Sequence, residues 1–194
     1  MATQYIPVRR PFALPGHLYP SLPRMPLLRP FVLTCALLSF CAWARADLYN
    51  DVDRLIQSGQ WQTAREQAQA RLKDAPSDPQ MRLLLSRIQD AQGQTDAALD
   101  TLQALTLNFP ELPEPHNNLA ALLVRQNRLS EAQTALESAI QARPDYALAL
   151  ENLGDVHAAL AAQAYARATA AAPSQPRVKN KQLAIEQLLK SSTP

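Results

Sequence analysis

PEPHNNLAALLVRQNRLSEAQTALESAIQARPDY, residues 113–146, is the stretch whose pattern decides the fold. Glu114 to Gln126 is built of helix-forming residues, with Leu119, Leu122 and Leu123 gathered on one side. Asn127 tolerates the left-handed backbone conformation that ends a helix. A second helix begins near Ser130 and places Ala132, Leu136, Ala139 and Ile140 on one face. Pro144 ends it, because proline has no amide hydrogen and its ring blocks the preceding turn. The unit is a helical hairpin. The small Ala132 lets the two helices approach, and Leu119, Leu123 and Leu136 fill the space beside it.

The hairpin recurs. Pro76, Pro110 and Pro144 lie 34 residues apart, and so do Ala64, Ala98 and Ala132. Gly59 and Gly93 share that spacing, and the next step lands on Asn127. Leu85, Leu119 and Leu153 form a further column. A fixed period of this length marks stacked supersecondary units. The pattern resembles the tetratricopeptide repeat, through Leu119, Ala120, Leu123, Asn127, Ala132, Leu136, Ala139 and Pro144. One period earlier the same positions hold Leu85, Ser86, Gln89, Gly93, Ala98, Leu102, Leu105 and Pro110. The first copy is degenerate but keeps Leu55, Gly59, Ala64, Ala68 and Pro76.

That resemblance implies an all-α fold, a right-handed α-solenoid of antiparallel helix pairs with about three to four repeats. The expected repeats are 47–78, 79–112, 113–146 and 147–175, together a domain over 47–175. The fourth lacks its turn: no Gly, Asn or Pro separates Val156 from Ala166. One unbroken helix over about 148–171 is expected there. The tail, 176–194, holds a last amphipathic helix from about Lys179 to Lys190 with Leu183, Ile185, Leu188 and Leu189, suited to cap the open end of the core.

Residues 1–46 read differently. Prolines at 7, 11, 15, 20 and 23 occupy an aperiodic stretch, followed by Arg24, Arg29 and a 14-residue apolar run from Phe31 to Ala44. Ala44-Arg45-Ala46 carries small residues where signal peptidase reads them. Residues 25–46 therefore have the layout of a secretory signal peptide cleaved after Ala46, and the expected location is the periplasm. Residues 1–24 are either upstream of a true start at Met25 or an extended n-region. The apolar run is shorter than the roughly 20 residues a membrane-spanning helix needs. Both cysteines, Cys35 and Cys41, fall in it, so 47–194 offers no thiol for disulfides, catalysis or metal binding. Residues 1–46 also hold five arginines and no acid, which leaves 47–194 with 14 bases, 17 acids and a net charge of −3. A nucleic-acid surface is not expected from that balance.

No constellation of catalytic groups is legible. His116 and His157 occupy positions that the repeat fills with packing residues, and neither has a second ligand at helical spacing. Gly59, Gly93 and Gly154 all fall at repeat positions, so none is left for a phosphate loop. The expectation is a non-enzymatic protein without cofactor or metal. By the resemblance, the first helix of each pair lines a concave groove for a protein or peptide. Its expected contact residues are Arg87, Asp90, Asn117, Arg125, Glu151 and Asp155, with Tyr49, Asp53 and Ile56 on the same lining in the first repeat. The carboxylate clamp with which some family members hold a chaperone's C-terminus is missing: of Leu83, Arg87, Asn118, Leu148 and Asn152, only Asn118 matches. Two alternatives are a module that self-associates as a homodimer through the apolar residues of the last helix, and an accessory subunit of an envelope enzyme complex.

Overall fold

The computed structural model describes residues 48–191; the signal peptide read at 25–46 and the stretch 1–24 before it lie outside them. The described residues are helical between short turns. α1 covers 48–57. It is followed by α2 (Trp61–Asp74), α3 (Pro79–Ala91) and α4 (Thr95–Asn108). α5 (Pro113–Arg125), α6 (Leu129–Ala142), α7 (Ala147–Ala171) and α8 (Pro176–Ser191) complete the chain. Each helix packs on its neighbours in sequence, and α5 also touches α7, as in a stack of hairpins.

The turns have one design. Gly59, Gly93 and Asn127 adopt φ values of 74°, 75° and 58°. The residue after each donates its amide back to the last helical turn: Gln60 to Leu55 (2.9 Å), Gln94 to Gln89 (2.8 Å) and Arg128 to Leu123 (2.9 Å). These bonds satisfy carbonyls that the helix end would leave open. The next residue in that column is Ala161. An L-residue with a β-carbon enters the left-handed region at a cost of about 1–2 kcal/mol. Ala161 stays helical, and α7 runs through the place where the fourth turn would fall.

Burial follows the period and then breaks with it. Ala64, Ala98 and Ala132 are fully buried at the closest approach of each hairpin. Val52, Ser86 and Ala120 are buried on the facing first helices. In the fourth unit the matching residues, Ala166 and Gly154, are exposed, because the helix that folds back on α7 covers a different stripe of it. Instead Ala161, Tyr165 and Ala168 are half-buried. α8 lies along α7 with Val178, Gln182, Ile185 and Leu189 half-buried. The apolar residues read for α8 thus separate: Leu183 and Leu188 are 49% and 52% exposed. The helical spacing of 178, 182, 185 and 189 gives one inward stripe, and 183 and 188 fall beside it.

The core is in two clusters. One joins α1, α2 and α3 through Val52, Ile56, Ala64, Ala68, Met81, Leu84 and Ile88. The other runs from Leu99, Leu102 and Leu105 of α4 through Leu123 and Leu136 to Val156 of α7. Leu83 of α3 packs against the second cluster, and polar groups stand beside it at the α3–α4 contact. Ser86 is buried with its hydroxyl donating to its own helix at Leu83 O (2.7 Å), and Thr101 Oγ1 donates to Gln89 Oε1 (2.9 Å).

Asp78 fastens the first hairpin to the second. Its Oδ1 caps α3 by accepting the Met81 amide (3.1 Å), and Pro79 stands at the first helical position. Its Oδ2 accepts the Tyr49 hydroxyl of α1 (2.7 Å) and Arg71 Nε of α2 (3.0 Å). Burial alone would push the Asp78 carboxyl up. Hydrogen bonds from Tyr49, Met81 and Arg71, with the charge of Arg71, outweigh burial and hold it below the usual carboxylate value. Burial, then the hydrogen bond to the carboxylate, pushes the Tyr49 phenol up.

Candidate functional site

The first helices α1, α3, α5 and α7 stand side by side and are cross-linked one repeat apart. Arg87 of α3 donates to Asp53 of α1 at 2.5 Å. Arg125 of α5 pairs with Asp90 of α3. Asn152 Nδ2 of α7 donates to Asn117 Oδ1 of α5 at 2.8 Å. A fourth link joins Gln163 of α7 to Asn127 Oδ1 in the preceding turn, at 3.0 Å. Polar pairs that cross from one hairpin to the next fix the spacing of the helices that form this face.

The six residues expected at the groove therefore divide into three kinds. Arg87, Asp90 and Arg125 lie on the face but are engaged in ion pairs, Arg87 with Asp53 of α1 and Asp90 with Arg125. Asn117 is a correction: it is 4% exposed and its Oδ1 accepts from Asn152, so it ties α5 to α7 and offers little contact surface. A buried amide needs a partner, and the adjacent repeat supplies it. Glu151 and Asp155, four residues apart on α7, are exposed and have no ion pair or hydrogen bond among the described residues. Ile56, also read as groove lining, is buried in the first core cluster.

Beside Asp155 the face opens into a cavity of about 360 Å³. Ala121 and Val124 of α5, Asn152 and Ala159 of α7, and Leu189 of α8 line it with Asp155. Its walls are mainly apolar, and Val124 is 40% exposed there. The small side chains of Ala121 and Ala159 make the space, and α8 supplies a wall that a regular hairpin would not. The reading of the sequence missed the cavity, because nothing in the periodicity tells where α8 comes to rest.

The histidines separate too. His116 is buried with Nε2 3.1 Å from the Pro110 carbonyl, a packing role, whereas His157 is exposed. Among the described residues no group of three or more His, Cys, Asp or Glu is placed to hold a metal ion. Among them, too, no helix is long and apolar enough to cross a membrane.

Two sequence profiles, each described as tetratricopeptide repeat, match residues 55–122 and 117–176. The chain belongs to the tetratricopeptide repeat family. No curated protein matches it in sequence. Among solved structures it is similar to a thermophilic TPR protein of Thermus thermophilus, at 22% identity and a TM-score of 0.55 over 74% of this chain and 82% of that one. It is also similar to the first TPR domain of human RPAP3, at 15% identity and a TM-score of 0.55 over 59% of this chain and 90% of that one. A third similar structure is the first TPR of Spaghetti (RPAP3) bound to the HSP90 peptide SRMEEVD, at 15% identity and a TM-score of 0.54 over 60% and 92% of the two chains. At these identities the likeness concerns the fold. Tetratricopeptide repeats generally form non-catalytic scaffolds for protein–protein interaction, and this chain has that fold.

Proposed function

We propose that this TPR protein is an exported, periplasmic scaffold, without catalytic activity, that binds a protein or peptide partner on its first-helix face. The observation that carries the reading is the cavity between α5, α7 and α8. It is an apolar recess on a face whose helices are joined one repeat apart by polar pairs. A rigid face with a preformed recess recognises a segment of chain at little cost in reorganisation. The peptide-bound TPR of Spaghetti supports the choice of a peptide as ligand class. Export rests on the layout of residues 25–46, with cleavage after Ala46.

The test is photo-crosslinking in living cells with the full chain. The reactive residue belongs at Ala121, which is exposed in the cavity, with a control at Glu137, which is exposed on α6. The reading predicts one dominant adduct from Ala121 in the envelope fraction, none from Glu137, and a captured chain that begins at Asp47. Equal labelling from both positions contradicts the groove, and a cytoplasmic chain that retains residues 25–46 contradicts export.

A specific observation favours self-association as a second reading: Leu183 and Leu188 present apolar surface on the two exposed flanks of α8. Sedimentation of the full chain, with and without Leu183→Lys and Leu188→Lys, decides it. A concentration-dependent mass that the two changes abolish supports a dimer, and a constant monomer mass refutes it.

A further inference from the structure

We propose that the segment held on this face is basic: an apolar side chain enters the cavity, and Lys or Arg residues flanking it meet Glu151 and Asp155. This deepens the groove reading and rests on it. The argument is one of charge that is left over. Of the acids on the first-helix face, Asp53 is neutralised by Arg87 and Asp90 by Arg125. Those pairs bring no net charge to a ligand. Glu151 and Asp155 have no counter-ion among the described residues, and their spacing of four puts both carboxylates on one side of α7. Asp155 stands at the cavity itself, next to Val124 and Ala159. Asp155 thus puts unpaired negative charge at the recess, with Glu151 one turn away on the same side of α7, where an incoming apolar side chain brings its neighbours within reach.

The recess fits that occupant. Its volume of about 360 Å³ is at the small end of ordinary ligand pockets, and it is lined by alanine, valine and leucine with few polar atoms. It takes one or two aliphatic or aromatic side chains and gives little for a polar group to bond. Asn152, on the wall, is already donating to Asn117. Specificity then falls to the rim, where the two carboxylates select the sign of the flanking charge and steer encounter. An acidic segment such as SRMEEVD, held by the TPR of Spaghetti, would meet like charge at this recess.

The test uses two fluorescein-labelled peptides of equal length. Both carry a central pair of leucines, flanked in one by lysines and in the other by glutamates. Anisotropy is read against the full chain at about 20 mM and about 500 mM salt. The lysine peptide is expected to bind about tenfold or more tighter at low salt, with the margin shrinking at high salt. Glu151→Lys with Asp155→Lys is expected to abolish or invert the preference. Ala121→Trp, which fills the recess from an exposed position, is expected to weaken binding while the circular dichroism stays unchanged. Equal binding of both peptides, or a preference that survives the double change, overturns the basic-segment proposal. If Ala121→Trp still blocks both peptides in that case, the groove reading stands alone. Lysine-peptide binding untouched by Ala121→Trp, or no binding of either peptide, overturns both.

Discussion

Replacing Asp78 with alanine is the sharpest test of how the first two hairpins are joined. The carboxylate makes contacts with three elements: it caps α3 at Met81, accepts from Tyr49 of α1 and pairs with Arg71 of α2. Its side chain is 6% exposed and that of Arg71 is 20% exposed, so this pair is shielded where surface pairs are not. Loss of the cap costs about 1 kcal/mol. Loss of a hydrogen bond to a charged group costs about 1.5–3 kcal/mol. These contributions overlap, and about 3 kcal/mol is the expected sum, equivalent to a fall in Tm on the order of 10 °C for a domain of this size. Urea unfolding of the full chain, followed by far-UV circular dichroism, measures it. Asp51→Ala is the control: that carboxylate pairs with Arg54 on an exposed helix surface, and its loss should cost less than about 1 kcal/mol. Asp78→Asn should fall between, since an asparagine still caps a helix. A loss for Asp78→Ala no larger than for Asp51→Ala would refute the reasoning.

Further outcomes follow from the same contacts. The Asp78 carboxyl titrates below its unfolded value, so its contribution is fully present above about pH 4 and is lost as pH falls through the folded value; acid unfolding of Asp78→Asn should lack that part of the slope. Gly154 lies inside α7, exposed, with no atom within 4 Å of where a β-carbon would stand, so Gly154→Ala should stabilise by about 0.5–1 kcal/mol in urea unfolding. Asp90→Ala and Arg125→Ala should each cost less than about 1 kcal/mol, and a double-mutant cycle should return a coupling of similar small size, because the pair is partly exposed.

The architecture was legible because each repeat carries its own punctuation. Left-handed residues at Gly59, Gly93 and Asn127, and small residues at Ala64, Ala98 and Ala132, are local requirements that any stacked hairpin must meet. The loss of the fourth turn was legible for the same reason. No Gly, Asn or Pro stands between Val156 and Ala166 to end a helix there, and the long α7 runs through. The face was less legible, since exposure there depends on the neighbouring repeat. Asn117 reads as a surface residue until Asn152, 35 positions on, is recognised as its partner. Arg87 and Arg125 read as free charges until Asp53 and Asp90 are counted one repeat earlier. A search for complementary polar residues at a spacing of 34–35 would have found all three links. The cavity lay beyond any such search, because Leu189 reaches it only through the way α8 packs on α7.

The most direct measurement of the central claim is amide hydrogen exchange on the full chain, alone and with the partner captured through Ala121. The account predicts slowed exchange in α5 and in the first half of α7, around Ala121, Val124 and Asp155, with α4 and α6 unchanged. Protection confined to α4 and α6, or to the exposed flanks of α8 around Leu183 and Leu188, would contradict it.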